Sequence, residues 1–312
     1  MHKIMAVAFS SLLLSGCQTW TMFTTSKLDP ATGDQERVML VPVTAQIFEV
    51  SKGSTISTWQ QLFGRRDDGR WKQLCVPDAN PALAAVLVPV LTAIGNTAWD
   101  LSVAAVNRKV GEFQERSIKS WNASWSGPTA NWDSSSCVVL ARIKDQADPA
   151  AQMSILLVKQ SFQTHDQETA AFQFAPALVA SRTSRALTKD EGQGKGRIGL
   201  SVAAAATGFK SGSAQENVAD AVSIGGIAVS APSSNGPLNY KSVAEDYFNY
   251  TKPLKYPASS NVYINFSVVE TGTLAGLDSQ SKAEIKAMTD ALGPVAKEAW
   301  KKKLEKEGKK ED

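Results

Sequence analysis

Six apolar segments that follow Cys137 constrain the fold most strongly. Each is rich in β-branched, aromatic or small apolar residues, and polar or glycine-rich turns separate them. They span residues 138–143, 153–162, 170–181, 197–208, 219–230 and 262–271. Regular short strands with polar connections favour an antiparallel, sandwich-like β region over a doubly wound parallel sheet.

A long apolar stretch precedes this β region. Residues 80–99 contain no charged side chain, and apolar spacing continues as far as Phe113. The pattern predicts one long buried helix. A membrane-spanning helix and a helix that fills a groove in a partner are the alternatives, but Pro89 in the middle and Gly95 near the end argue against a span.

The beginning of the chain has the organisation of an export signal. His2 and Lys3 precede an apolar run over residues 4–14, and the sequence Leu14-Ser15-Gly16-Cys17 follows. A charged tip, a short apolar stretch and small residues before a cleavage position are typical of secretory signal peptides. The Leu-Ser-Gly-Cys ending resembles the lipobox of bacterial lipoproteins. An ordinary secretory signal with an unrelated cysteine is the alternative.

The resemblance implies cleavage before Cys17 and attachment of lipid to its thiol. Two or three acyl chains make release from a membrane slow, because each buried CH₂ contributes about 0.8 kcal/mol. Lipoproteins of double-membrane bacteria are usually sorted outward unless an Asp follows the cysteine, and here Gln18 follows it. We therefore expect an outer-membrane lipoprotein whose body faces the periplasm.

These patterns together predict an α+β fold, with a long buried helix, an antiparallel β-sandwich-like region and a C-terminal helix. The capping-box sequence from Ser281 to Glu284 indicates where the last helix starts. The expected parts are a signal peptide (1–16), a tether (17–36), a strand and long-helix region (37–136), a β-rich region (137–275), and a helix with a charged tail (276–312).

Two cysteines remain if Cys17 carries lipid. Cys75 and Cys137 would then share an oxidising compartment, where a disulfide forms and persists. We predict a bridge between them, with two separate buried thiols as the alternative. Two cysteines without supporting histidines make a poor metal site, so we expect neither a metal nor a cofactor.

Three tryptophans lie in residues 121–132, a segment that we predict to be a loop. Trp121, Trp125 and Trp132 alternate with Ser, Asn and Gly, a composition typical of glycan platforms and of protein-binding hot spots. They are the candidate partner-binding residues. The favoured alternative is that the rings cover the end of the long helix and pack beside Cys137.

Catalytic chemistry is sparse in this sequence. His165, the one histidine after the export signal, neighbours Asp166 in an expected hairpin turn, where such pairs are usually solvated. A G-x-G-x-x-G match at Gly194, Gly196 and Gly199 precedes a strand, which is the wrong context for dinucleotide binding. We therefore predict no catalytic residue.

Paired carboxylates are the remaining route to catalysis, because they hydrolyse glycosidic bonds without histidine. Glu245, Asp246 and Glu270 are the candidates, but nothing in the sequence places them at a productive separation. The 33 basic and 30 acidic side chains give a net charge of +3, too balanced to argue for nucleic acid.

The predicted function is a non-catalytic protein-binding module at the outer membrane. It would act as a subunit, tether or immunity-type partner of another envelope protein in an envelope or secretion system. An envelope glycan hydrolase and a pore or channel component are the alternatives. The lipid anchor and the lack of catalytic motifs support this prediction.

Replacement of Cys17 tests the anchor. The Cys17→Ser protein should move from the membrane pellet to the soluble periplasmic fraction, because no thiol remains for acylation. Cell fractionation in high salt measures the distribution. Continued sedimentation of the variant with outer membranes would contradict the anchor. Residues 82–94 would then be the candidate for membrane attachment.

Overall fold

The computed structural model shows a mostly β protein, in which the described residues form two large antiparallel sheets and one short two-stranded sheet. The structure describes residues 25–32, 36–50, 55–64, 68–76, 115–144, 150–163, 169–210, 213–218, 220–232, 237–257, 261–276 and 279–291. The predicted lipobox with Cys17, the apolar stretch 80–99 and the turn containing His165 lie outside the described residues.

The larger sheet has six strands, five of them in the order β11-β6-β5-β4-β2. A sixth strand, β12, pairs with the beginning of β6, whereas β11 pairs with its end. The ranges are β2 (Glu36–Pro42), β4 (Cys137–Lys144), β5 (Ala150–Gln163), β6 (Thr169–Ser181), β11 (Asn239–Ser242) and β12 (Leu254–Pro257).

The smaller sheet has five strands, four of them in the order β10-β8-β13-β3, with β9 paired to β8. Its ranges are β3 (Ile118–Pro128), β8 (Lys195–Lys210), β9 (Ser213–Val218), β10 (Val222–Ser230) and β13 (Asn261–Gly272). A two-residue pair, β1 (Lys27–Leu28) with β7 (Thr188–Lys189), completes the described strands.

The two sheets enclose the largest apolar core. Successive strand residues point to opposite faces, so Val262, Ile264, Phe266 and Val268 of β13 all enter this core. Buried side chains of the six-stranded sheet, such as Ile155, meet them from the other side. The alternation in the sequence therefore directs one face of each sheet inward.

Helices cover the outer faces of both sheets. Over the six-stranded sheet lie a 3₁₀ helix (Ala45–Phe48), α1 (Thr58–Phe63) and α2 (Asp68–Cys75), which share a second apolar core with its strands. Over the five-stranded sheet lies α4 (Ser279–Ala291), whose alanines at 283, 287 and 291 pack on β8 and β13. These small side chains allow close approach of helix and sheet.

The predicted α+β class with a long buried helix is wrong. The protein is mostly β, and the helices among the described residues are short. The apolar segments after Cys137 are long enough to form most of the strands in the two sheets. The short helices of the described residues cover the outward faces of these sheets. Residues 80–113, for which the long helix was predicted, lie outside the described residues.

In the part of the chain that the structure describes, no helix combines the length and the apolar character needed to cross a membrane.

The tryptophan segment is also not a loop. Residues 118–128 form β3 along the whole of β13, and α3 (Thr129–Asp133) follows. Trp121, Ala123 and Trp125 share one parity and contact the core between the sheets. The Ser, Asn and Gly residues that suggested a loop occupy the intervening positions, so pairing with β13 overrides their weak strand preference.

The predicted disulfide between Cys75 and Cys137 is confirmed. It joins the last residue of α2 to the first residue of β4, within the core beneath the helices. The two cysteines are 62 residues apart in the sequence. The bridge therefore fastens the helical layer to the centre of the six-stranded sheet.

Reduction and replacement test the bridge. Reduction of the unfolded protein should expose two additional thiols to a maleimide label. Closure of a loop with 62 residues of separation stabilises by about 4 kcal/mol in the chain-entropy model, and Cys137→Ala should lower the free energy of unfolding by about that amount. Urea unfolding measures the loss. An unchanged thiol count after reduction would contradict the bridge.

Candidate functional site

Glu270, a candidate catalytic carboxylate in the sequence, is fully buried at one end of the core between the sheets. Its Oε1 accepts a hydrogen bond from Trp121 Nε1 at 2.9 Å and lies 3.1 Å from Arg142 Nε. Its Oε2 accepts from Ser184 Oγ at 2.7 Å and from the Arg185 backbone N–H at 2.6 Å. Both carboxylate oxygens are thus engaged.

The cluster continues through a second carboxylate. Arg142 Nη1 donates to Glu36 Oε2 at 2.6 Å, and its Nη2 donates to the carbonyl oxygen of Thr183 at 3.0 Å. Arg185 Nη2 lies 2.9 Å from the same Glu36 oxygen. We call Glu36, Arg142, Arg185 and Glu270 the charge cluster. Its two carboxylates balance its two guanidinium groups, which offsets the cost of burying charge.

The structure does not bring the candidate carboxylates together. Glu245 and Asp246 lie in an exposed 3₁₀ helix (Glu245–Tyr247), and Glu245 pairs with Arg70 of α2 at 3.2 Å. Glu270 is enclosed between the sheets. A glycosidase needs two carboxyl groups that flank one bond, and these residues do not form such a pair.

The three candidate partner-binding tryptophans belong to the core. Trp121 is 4% exposed and Trp132 is 0% exposed. Trp125 is half-buried and packs against Trp132, with ring centroids 5.5 Å apart. Burial leaves Trp121 and Trp132 no surface for a partner, and this fits the packing alternative better than the binding one.

A second polar group lies at the opposite end of the core. Lys159 of β5 is 3% exposed, and its Nζ donates to Ser161 Oγ at 2.6 Å. The same Nζ lies 5.2 Å from the centroid of the Trp132 ring. Nearby, Tyr256 of β12 donates from its hydroxyl to Asp133 Oδ1 at 2.6 Å.

Burial shifts the acidity of both groups. Loss of water around the ammonium lowers the pKa of Lys159 to about 8, against the opposing field of Asp133. Burial and the hydrogen bond to Asp133 raise the pKa of Tyr256 well above its usual range. At neutral pH the phenol is therefore protonated, whereas about a tenth of Lys159 is neutral.

Sequence reasoning missed Lys159. It follows Met153, Ile155 and Leu157 at the same parity of a strongly apolar strand. A lysine at an inward position of a predicted strand is unusual because burial penalises its charge. That parity was the available signal, and it points to a lysine whose pKa is lowered.

The glycine run that matched a dinucleotide motif has a structural explanation. Gly194 has φ +67°, a left-handed conformation suited to the turn before β8. At Gly196 an added Cβ would lie 2.7 Å from the carbonyl oxygen of Lys189. Glycine at these positions allows the turn and the close approach of β7 to β8.

Exposed apolar side chains concentrate in the layer over the six-stranded sheet. Tyr247 is 78% exposed, and Val50 and Ile56 are also exposed. Phe248 and Tyr250, on either side of Asn249, pack against the core beneath this layer. Tyr247 is the most exposed large apolar side chain among the described residues.

No group of three or more His, Cys, Asp or Glu side chains suited to a metal ion occurs among the described residues. No family model matches the chain, and neither the curated proteins nor the solved structures provide a match.

Removal of one charge from the cluster tests its structural role. Glu270→Gln should lower the free energy of unfolding by about 3 kcal/mol, because Arg142 loses a buried counter-charge and a new amide faces existing donors. Glu245→Gln, which disturbs an exposed pair, should change it by less than about 1 kcal/mol. Urea unfolding of both variants gives the comparison, and equal stabilities would contradict the structural role.

Proposed function

We propose that the protein is a lipid-anchored module of the bacterial outer membrane whose periplasmic body binds another envelope protein. The exposure of Tyr247 carries this proposal. Tyr247, at the end of a short helix, is 78% exposed. Exposed tyrosines dominate many protein interfaces because they supply contact area at little entropic cost.

The setting of Tyr247 supports a preformed binding surface. Glu245, two residues earlier, pairs with Arg70 of α2, and Arg70 stacks over Trp71 at 4.7 Å from its ring centroid. Phe248, the next residue, packs on the core below. Contacts on both sides of Tyr247 hold its backbone in place, which reduces the entropy lost on binding.

The disulfide and the lipobox resemblance support the location. Disulfides persist in the periplasm and are rare in the cytosol, and the bridge between Cys75 and Cys137 is present in the fold. The resemblance of the segment ending at Cys17 to a lipobox supplies the membrane attachment in this proposal.

The charge cluster argues against glycan hydrolysis by Glu270. A catalytic acid or nucleophile must reach its substrate, whereas Glu270 is enclosed and both its oxygens already have partners. Glu270, a candidate for hydrolysis in the sequence, therefore has a structural role.

Two matched tyrosine variants test the proposal. Tyr247→Ala should weaken capture of a stoichiometric partner from a detergent extract of envelopes by about 30-fold, the effect of about 2 kcal/mol at an aromatic hot spot. Tyr263→Ala is the control, because Tyr263 is 43% exposed on the five-stranded sheet. Quantitative mass spectrometry of the captured protein measures both. Equal capture by both variants would contradict this surface as the binding site.

A further inference from the structure

We propose that Ser161 and Lys159 form a nucleophile and general base pair that hydrolyses carboxylic esters. This activity goes beyond protein binding and uses a different part of the molecule. Serine and lysine pairs occur among the variants of the serine nucleophile arrangement, in which lysine replaces histidine as the base.

The geometry meets the first requirement of such a pair. Ser161 Oγ and Lys159 Nζ are 2.6 Å apart, within the reach needed for direct proton transfer. The two residues are separated by one position on β5 and therefore project from the same face of the strand. Ser161 is exposed, so its hydroxyl is open to substrate, while Lys159 is buried behind it.

The environment of Lys159 meets the second requirement, a base whose pKa is lowered toward physiological pH. With a pKa of about 8 in place of 10.5, half of the amine is neutral at pH 8. An ordinary lysine would be about 0.3% neutral at that pH. Asp133 on α3 is the charged group that opposes this shift, and it accepts the hydrogen bond of Tyr256.

The position at which β4 begins affects both the access to Ser161 and the hydrogen-bond donors around it. β4 begins at Cys137 opposite Val158, so beyond Lys159 the described part of β5 pairs only with β6. The Lys159 N–H points to the β4 side, where it donates to the carbonyl oxygen of Ser136 at 2.7 Å. By strand alternation the Ser161 N–H points the same way. It is placed to donate to the oxyanion that forms beside its own Oγ.

The reaction balances with water as the second reactant. Ser161 Oγ attacks the ester carbonyl carbon while its proton passes to Lys159 Nζ. The carbon–oxygen bond to the alcohol then breaks, and the leaving oxygen takes the proton from the ammonium. Water attacks the acyl-serine, again giving its proton to Nζ, and the carboxylic acid leaves as the Ser161 hydroxyl regains a proton.

A fluorophosphonate probe tests the nucleophile on the full-length protein. Ser161 Oγ should displace fluoride from the probe, and peptide mass spectrometry should locate the label at Ser161. Labelling should be lost in Ser161→Ala, fall at least 100-fold in Lys159→Met, and be unchanged in Ser124→Ala, which removes an exposed serine of β3. Tyr247→Ala should label as the wild type, which separates this activity from partner binding.

The pH dependence of labelling tests the base. The rate should rise with pH through a midpoint near 8, where Lys159 loses its proton, and level off above it. A midpoint above 10, or no labelling of folded protein between pH 7 and 10, would overturn the proposal. A fluorogenic short-chain ester should show the same profile for hydrolysis, and hydrolysis that persists in Ser161→Ala would also overturn it.

A second variant keeps the test decisive if Lys159→Met does not fold. In Ser161→Cys the introduced thiol lies beside Lys159, and a neighbouring cation lowers the pKa of a thiol. Iodoacetamide alkylation should therefore titrate below the ordinary thiol value of about 8.5. A midpoint at or above that value would show that the amine does not act on the residue at position 161, and would overturn the pair.

Discussion

The ion pair between Arg142 and Glu270 connects the two sheets at a place where neither charge has access to water. Arg142 belongs to the six-stranded sheet and Glu270 to the five-stranded sheet, so the pair forms only when the sheets face each other in one alignment. Apolar contacts tolerate small displacements, whereas a buried carboxylate without its donors is costly. The cluster therefore selects this alignment, and the apolar core supplies most of the stabilisation.

Most of the strands could be predicted from the sequence, but little of their arrangement in the sheets could. The segments after Cys137 formed strands because alternation and β-branched residues act locally. The disulfide was predictable because only two cysteines remained after the lipobox. β3 was not, because its Ser, Asn and Gly residues form a strand only when β13 pairs with them. Arg142 and Glu270 are 128 positions apart in the sequence, and no local pattern indicates such a partner.

Contacts between residues that are far apart in the sequence also decide which candidate sites could be predicted. The sequence presented Glu270 as an available acid, and only the tertiary structure shows its oxygens occupied. It presented Lys159 as one lysine among many, although its parity already placed it inside. The core thus ends in two polar groups of different character: a neutralised cluster around Glu270, and a weakly compensated amine beside an exposed hydroxyl.

The bridge between Cys75 and Cys137 also makes the intervening chain a covalent ring. The ring includes β3 and α3, which belong to the five-stranded sheet side, yet it is closed on the six-stranded sheet. A protease that cuts one peptide bond between these cysteines would leave two fragments joined as a single molecule. A cut between β3 and β4 would leave β3 covalently joined to the other strands of its sheet only through the bridge, and a reductant would remove that last link.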